Sequence, residues 1–362
     1  MGNGRRAPWV FGCLVALLAG CSGGVIEEPS RAEVLRGQRI NEFHQELKRE
    51  GFRGVVDVRR HGERLLSEAY GMADTATSRA NTPRTRFRAG AMTEQVTAFA
   101  VLEFQSTRRL TLTDPVCRHL PTCVPGWQAI TVDNLLLHTS GLPDYLVSGL
   151  AAPDGNGLSH LAFVERLQRA PVERAPGKWK YSASDYVVLG ALIEALAAQP
   201  YGQYVRSTIL EPLGMGATTA TGGQDDPESR AVGHADAQRP VAPSPAPRFA
   251  DLALSTTAAD LGVWNNHLVA GTAPGTWAES WDRLRSPSYV SVGVGRGGKQ
   301  GYGVVFRDVS SVRGIHASGA LPGFEAWSGV NIEAKVTVAV LANADGAKVD
   351  DLGERLLALA SG

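Results

Sequence analysis

Apolar and polar residues follow different periods in different parts of the chain. Within the charged residues 31–48, three apolar residues recur at helical spacing: Ile40, Phe43 and Leu47. This spacing predicts an amphipathic helix. Residues 55–58 and 65–71 are instead rich in Val and Leu, and the turn sequence at 60–63 separates them. That pattern is typical of a β-hairpin.

The middle of the chain returns to helical spacing, and the last quarter returns to strands. We predict helices at residues 97–105, 131–137, 158–170, 185–198 and 256–269. We predict strands at 301–306, 323–330 and 335–341, followed by an amphipathic helix at 348–360. Strands near both ends with helices between them indicate an α+β fold, in which one antiparallel sheet is assembled from both chain ends. The predicted sheet body is about residues 33–90 and 255–362, and the inserted helical body is about 91–254.

The N-terminus has the pattern of an export signal. Arg5 and Arg6 precede a short apolar run, and Leu18-Ala19-Gly20-Cys21 ends it. This pattern predicts a signal peptide over residues 1–20, and its end resembles a bacterial lipobox. We therefore expect Cys21 to be lipidated, residues 21–32 to form a flexible tether, and the domain at 33–362 to lie at the bacterial cell envelope, facing the periplasm or the exterior. The alternative is an ordinary secretory signal in which Cys21 has no role.

Charge and cysteine usage narrow the function classes. The 362 residues carry 36 Lys and Arg against 36 Asp and Glu, so the formal net charge is zero and no overall basic field favours nucleic acid. Cys117 and Cys123 are six residues apart, and an oxidising compartment favours a disulfide between them. A metal site would have only His119 nearby as a further ligand, so we expect a disulfide and no metal or cofactor.

Residues 86–100 form a short extended entry that turns at Gly90 and continues into an apolar helix. This stretch resembles the segment in which the serine β-lactamase and penicillin-binding-protein superfamily carries its Ser-x-x-Lys motif. In this chain, Ala91 occupies the Ser position of that motif and Glu94 occupies the Lys position. Four further segments are similar to the class C β-lactamase, DD-peptidase and esterase branch: residues 110–116, 135–145, 210–215 and 254–261. The resemblance covers about residues 33–360 and implies a β-lactamase/transpeptidase-like fold.

The first catalytic element of that family is lost. In such hydrolases a Ser attacks a carbonyl, activated by a Lys one helical turn later and by a Tyr. Ala91 has no oxygen with which to attack, and Glu94 inverts the charge. None of the six lysines has Ser or Thr three residues before it, so no shift of register restores the motif.

The second and third elements are also altered. Where the family has Tyr-x-Asn, this chain has Tyr181-Ser182-Ala183, so the Tyr is kept and the Asn amide is lost. Where the family has Lys/His-x-Gly on a strand, Ala317 occupies the cationic position before Gly319, and His316 lies one residue early. Either a β-bulge brings His316 into place or this element has lost its cation too.

Several roles stay open. Glu94 is either a first-turn carboxylate that the helix dipole stabilises or a group that faces a ligand. Tyr181 is either an aromatic side chain in the wall of the pocket or a surviving catalytic base. His138, in the His-Thr-Ser-Gly segment, is predicted to be structural.

We expect a cleft that binds a peptide-like or cell-wall-derived small ligand without hydrolysing it. Its predicted lining is Ala91, Glu94, Tyr181, His316, Ser318 and Gly319. The alternative is an active hydrolase with a rebuilt mechanism. It would use Tyr181 or Glu94 as a base toward water, or Ser182 or Ser318 as a nucleophile.

Overall fold

The computed structural model describes residues 30–150, 158–221, 228–236, 239–241, 249–271, 277–286, 288–292, 297–309 and 312–362. The predicted signal peptide, Cys21 and most of the predicted tether lie outside the described residues. Helix α1 begins at Arg31, because the Ser30 side chain caps it and Glu33 closes a capping box. No described helix is long and apolar enough to cross a membrane.

The described helices are α1 (Arg31–Glu50), α2 (Thr93–Ser106), α3 (Val132–Leu136), α4 (His160–Leu167), α5 (Ala183–Ala197), α6 (Tyr201–Val205), α7 (Ala258–Ala270), α8 (Ala278–Arg285) and α9 (Val349–Ser361). The described strands are β1 (Gly54–Arg60), β2 (Glu63–Tyr70), β3 (Met72–Asp74), β4 (Arg79–Ala80), β5 (Phe87–Arg88), β6 (Ser255–Thr256), β7 (Val290–Val292), β8 (Gly298–Gln300), β9 (Val305–Val309), β10 (Val312–Leu321), β11 (Phe324–Asn331) and β12 (Val336–Ala342).

Among the described residues, eight strands form one antiparallel sheet in the order β2-β1-β12-β11-β10-β9-β8-β7. The first hairpin of the chain therefore pairs with the last strand, as the predicted α+β fold requires. β1 and β12 are buried on both faces, which explains their continuous Val-rich sequences.

Helices cover both faces of the sheet. On one face, Ile40, Phe43 and Leu47 of α1 share a core cluster with α9, Trp327 and the Val side chains of β12. Helix α9 packs on β11 and β12, and α1 packs on α9 and β2. On the other face, the larger core contains α2, α5, α7 and α8. Helix α2 is buried from Thr93 to Phe104, so it is the central helix on the side where the candidate site lies.

The predicted helices and most predicted strands match the structure within a few residues, but the strand predicted at 301–306 begins only at Val305. Residues 301–304 leave the sheet and lie against the start of α2. Gly303 has φ +67°, and a Cβ there would come within 2.6 Å of the Glu94 backbone. The Tyr302 hydroxyl donates to Asp133 at 2.7 Å, so contacts with the helical body replace strand pairing at these residues.

A disulfide joins Cys117 and Cys123, whose Cα atoms are 5.3 Å apart. It closes the short loop between α2 and α3, and the metal alternative for these cysteines is wrong.

Reduction of this disulfide should lower the free energy of unfolding by about 2 kcal/mol, because the bond restricts a short loop in the unfolded chain. Urea denaturation with and without dithiothreitol measures this difference. The Cys117→Ser/Cys123→Ser variant is the matched control and should be insensitive to the reductant. Equal stability of the wild-type protein in both conditions would contradict the prediction.

Candidate functional site

A single 3₁₀ turn, Gly90–Met92, leads into α2 and places Ala91 at the rim of the site. Gly90 adopts φ +55°, a conformation that favours glycine. The Thr93 hydroxyl donates to the Gly90 carbonyl at 2.7 Å and accepts from the Leu254 amide at 3.0 Å. Met92 is buried and Ala91 is only partly buried. The turn therefore holds a methyl group where the related hydrolases carry a nucleophilic hydroxyl.

Strand β10 runs directly beside this turn. A Cβ at Gly319 would lie 2.6 Å from the Ala91 amide nitrogen and would also collide with the Ala89 carbonyl. Only glycine permits this approach of backbone to backbone. The turn at Ala91 thus packs directly against the backbone of β10. Gly319 is half-buried at this contact, and the neighbouring Ser318 is exposed.

Glu94 lies one helical turn after Ala91, and its side chain points into the helical body. The residue is only 5% exposed. The Tyr181 hydroxyl donates to Oε1 at 2.9 Å, and His138 Nε2 lies 3.4 Å from Oε2. Both carboxylate oxygens therefore have partners inside the protein. Of the two roles open for Glu94, the geometry favours a buried, paired carboxylate over a group that faces a ligand.

His138 connects Glu94 to a second buried carboxylate. Its Nδ1 lies 3.1 Å from Asp185 Oδ2, and Ser140 donates its hydroxyl to the other oxygen of Asp185. His138 has φ +54° and is 1% exposed. The imidazole is therefore held between one carboxylate from the first turn of α2 and one from the first turn of α5.

The two carboxylates keep His138 protonated at neutral pH. Burial alone lowers the pKa of His138, but the charges of Glu94 and Asp185 and their hydrogen bonds outweigh it and raise the pKa to about 10. Burial raises the pKa of Asp185 to about 6, although the hydrogen bond with His138 opposes the increase. The cluster of Glu94, His138 and Asp185 thus contains one cation and two carboxyl groups.

Tyr181 is partly buried and lies against this cluster. Its ring centroid is 4.7 Å from that of His138. Burial, followed by the negative charge of Glu94, raises the pKa of Tyr181 well above its ordinary value. The phenol therefore remains protonated and donates its hydrogen to Glu94, which disfavours Tyr181 as a base. Ala183 is fully buried at the start of α5 and provides no side-chain amide.

A second pair of buried polar groups lies close by. The Tyr145 hydroxyl donates to Asp251 Oδ2 at 2.7 Å. Burial raises the pKa of Asp251 to about 8, and the hydrogen bond from Tyr145 opposes this increase. Asp251 is therefore largely neutral at pH 7. Nothing in the sequence pattern pointed to this pair.

The third catalytic element has Ala317, not His316, on the face toward the site. β10 and β11 pair without a register shift from Ile315 to Leu321, so no bulge is present. Ala317 lies opposite Ser328, whose hydroxyl bonds to Asn265 of α7. His316 points to the opposite face and stacks on Trp327 with ring centroids 5.8 Å apart. The structure therefore places His316 on the face away from Ala91 and Gly319. Ser318, two residues later on the strand and paired with Trp327, shares the face of His316, so the structure does not bring either predicted lining residue to Ala91.

The structure thus brings Gly319 against Ala91, and Tyr181 against Glu94 one helical turn after Ala91, whereas Ser318 and His316 lie on the other face of β10. Sequence reasoning missed Asp185 and treated His138 only as part of a framework turn. One signal was available, because a carboxylate at a buried first-turn position needs a cationic partner. Among the described residues, no group of three or more His, Cys, Asp or Glu side chains is arranged to hold a metal ion.

The sequence matches the family profile described as Beta-lactamase over residues 40–361. Esterase EstB of Burkholderia gladioli is 36% identical over 190 residues, which cover 48% of this chain and 48% of the esterase. A relative from Bacillus subtilis (strain 168), whose name contains the words penicillin-binding protein, is 33% identical over 181 residues, 50% of this chain and 44% of its own. The chain spans about half the length of these relatives.

Solved structures share the fold. The penicillin binding protein from Bacillus halodurans has a TM-score of 0.76 and 22% identity, and the match covers 88% of this chain and 99% of that one. The octameric penicillin-binding protein homologue from Pyrococcus abyssi has a TM-score of 0.76 and 23% identity over 90% and 76% of the two chains. At these identities the likeness establishes the fold alone, and it confirms the predicted β-lactamase/transpeptidase-like architecture.

The free energy of unfolding should fall as pH rises from 7.5 to 9.5. His138 has an unfolded pKa of about 6.5, and its folded pKa is about 10. Its stabilisation is therefore complete below the unfolded value and is lost as pH rises through the folded value. The additional proton that His138 binds in the folded state contributes a slope of about 1.4 kcal/mol for each pH unit. Asp251, whose folded pKa is about 8, adds to the slope below that pH, so the part of the range from about 8.5 to 9.5 reports on His138.

Urea denaturation across this pH range measures the slope. His138→Gln should flatten it, whereas the same substitution at the exposed His61 should leave it unchanged. A slope equal in wild-type protein and His138→Gln would show that His138 is neutral in the folded state.

Proposed function

The chain belongs to the beta-lactamase family, and we propose that it is a member that no longer performs acyl transfer but retains a cleft for a small ligand. The observation that carries this proposal is which side chains occupy positions 91 and 94 and what they contact. Ala91 presents a methyl group beside β10, and both oxygens of Glu94 are bonded to Tyr181 and His138.

Each change removes a separate part of the acyl-transfer mechanism. Without a hydroxyl at Ala91 there is no atom to form the acyl-enzyme. With a carboxylate at 94 there is no ammonium to lower the pKa of a nucleophile. Ala183 and Ala317 lack the amide and the cation of the other two elements. Because loss of a nucleophile alone costs about 10⁶ in turnover in a serine protease, the combined losses support a protein that binds without hydrolysing.

The backbone hydrogen-bond donors, which these substitutions do not remove, support the proposal of a retained cleft. The Ala91 N–H group belongs to the turn that packs beside Gly319, and backbone donors of this kind bind carbonyl or carboxylate oxygens without any side chain. Tyr181 adds a partly exposed aromatic ring. This set of groups suits a peptide-like or cell-wall-derived ligand with a carbonyl oxygen. Since Glu94 is paired inside the protein, its charge is not the basis of selection.

The proposed location is the bacterial cell envelope, facing the periplasm or the exterior. Residues 18–21 (Leu-Ala-Gly-Cys) after a short apolar run support lipidation at Cys21 and attachment to the membrane. The disulfide between Cys117 and Cys123 agrees with an oxidising compartment. A chain carrying Cys21→Ser should be released from washed membranes, whereas retention of this variant would oppose the lipid anchor.

A second candidate is an active hydrolase with a rebuilt mechanism. The observation that favours it is the 2.9 Å hydrogen bond from Tyr181 to Glu94. In this mechanism a proton taken from a water molecule by the Tyr181 hydroxyl would pass to the Glu94 carboxylate. The raised pKa of Tyr181 and the paired state of Glu94 disfavour it.

Binding without turnover should distinguish the two candidates. We expect isothermal titration to detect binding of cell-wall peptides or β-lactams, and we expect no hydrolysis of a chromogenic ester or cephalosporin above the uncatalysed rate. Ala91→Trp places a large side chain at this partly buried position and should abolish the binding, while Gly216→Val, at an open position of ordinary φ, should not. Turnover that Tyr181→Phe abolishes would establish the hydrolase instead.

Restoring both reactive groups should restore acylation if the cleft is preserved. In Ala91→Ser/Glu94→Lys, a fluorescent penicillin should form a covalent adduct, whereas the wild-type protein should form none because it has no hydroxyl to acylate. Each single variant is a matched control and should form no adduct, because it lacks one of the two groups. An adduct in the wild-type protein would contradict the proposal. A folded double variant without an adduct would show that Ala183 and Ala317 are also limiting.

A further inference from the structure

The first two turns of α1 present a pair of apolar side chains to solvent. Val34 is 45% exposed and Leu35 is 42% exposed, whereas Arg36, on the side that faces the core, is buried. Residues three and four apart are neighbours on the surface of a helix. Arg31, one turn before the pair, and Gln38, one turn after it, are also exposed. These residues therefore form one continuous stripe on the outer side of the helix.

The charge on this stripe is mainly positive. Arg31 lies at its start, and the exposed Arg39 follows Gln38 at its end. Residues 31–39 contain one acidic residue, Glu33. Its carboxylate accepts hydrogen bonds from the amide and the hydroxyl of Ser30, which belong to the capping box. The outer surface of the first turns forms the α1 patch, which consists of Arg31, Val34, Leu35, Gln38 and Arg39.

The place of the α1 patch in the chain indicates what covers it. Cys21, which we propose to be lipidated, precedes Ser30 by nine residues. Nine residues span at most about 30 Å, so a lipid on Cys21 keeps the start of α1 within that distance of the bilayer. A linkage this short gives an effective concentration on the order of millimolar. Contacts too weak to hold a free protein are then sufficient to orient an anchored one.

We propose that the α1 patch docks on the surface of an anionic bilayer, with Val34 and Leu35 among the lipid headgroups and Arg31 and Arg39 on lipid phosphates. Amphipathic helices bury apolar side chains at this depth, and anionic lipids attract neighbouring arginines. The long arginine side chains reach the phosphates from beside the apolar pair. This inference rests on the proposed lipidation of Cys21.

Docking through α1 leaves the candidate cleft open to the aqueous compartment. Helix α1 belongs to the core cluster on one face of the sheet. Ala89 and Met92, which flank Ala91, belong to the cluster on the other face. A protein that rests on its α1 patch therefore keeps Ala91 on the side away from the bilayer, where a cell-wall-derived ligand would approach.

Quenching of tryptophan fluorescence by brominated lipids tests the proposal in the mature chain proposed above, residues 21–362. Cys117 and Cys123 form the disulfide, so Cys21 remains to couple this chain to vesicles that contain a maleimide lipid. In vesicles rich in phosphatidylglycerol, we expect Leu35→Trp to add at least three times as much quenching, relative to the unsubstituted chain, as Gln45→Trp. Gln45 is exposed on the same helix outside the α1 patch, so this variant is the matched control.

The role of charge is tested in the Leu35→Trp background. Arg31→Gln/Arg39→Gln should reduce the added quenching at least twofold, because it removes the attraction between arginine and anionic lipid. Vesicles of phosphatidylcholine alone should have the same effect. Lys48→Gln/Arg49→Gln removes an equal charge from the other end of α1 and should leave the quenching unchanged.

Equal quenching of Leu35→Trp and Gln45→Trp would overturn the proposal, as would quenching that depends neither on the two arginines nor on lipid charge. It is also overturned if the emission of Leu35→Trp shifts to shorter wavelength as protein concentration rises without vesicles, since a second copy would then cover the patch. Failure of the proposed anchor is a separate outcome, because the maleimide coupling replaces the natural lipid. Retention of Cys21→Ser on cell membranes would oppose the anchor and leave the vesicle result unaffected.

Discussion

The site depends on one protonated histidine held between two buried carboxylates. His138 lies 3.4 Å from Glu94 and 3.1 Å from Asp185, and all three side chains are almost fully inaccessible to water. Buried charges are tolerated only when they are paired, and removing one partner of such a pair typically costs about 3–5 kcal/mol. This cluster therefore fixes the beginning of α2 and the beginning of α5 relative to each other.

The same cluster explains how the fold accommodates a carboxylate at position 94. A carboxylate at position 94 requires a cation inside the protein, and His138 supplies it. Tyr181 then becomes a donor to Glu94 and is held in its protonated form. The packing of β10 against the turn before α2 does not depend on these groups, since it rests on apolar contacts and on Gly90 and Gly319 at the close approaches.

The fold was more predictable from sequence than the site. Local patterns were sufficient for α1 and for the β1–β2 hairpin, because apolar periodicity and turn residues act over a few positions. They were insufficient at residues 301–304, where Gly303 and Tyr302 contact residues far away in sequence.

For the site, sequence identified the altered positions but not their partners. The choice between His316 and Ala317 required the sheet register, because a shift by one residue reverses the face. The role of Asp185 required the tertiary position of α5 relative to His138. Likewise, the mature boundary of the domain and lipidation at Cys21 stay predictions.

The most direct test of this account is the protonation state of His138, measured by ¹⁵N nuclear magnetic resonance of the imidazole nitrogens at pH 8.5. If Glu94 and Asp185 clamp a cation, both ring nitrogens carry protons at this pH, and Glu94→Gln shifts the titration of His138 downward. A neutral imidazole with a single protonated nitrogen at pH 8.5 would contradict the account, because Glu94 would then lie buried without a compensating charge.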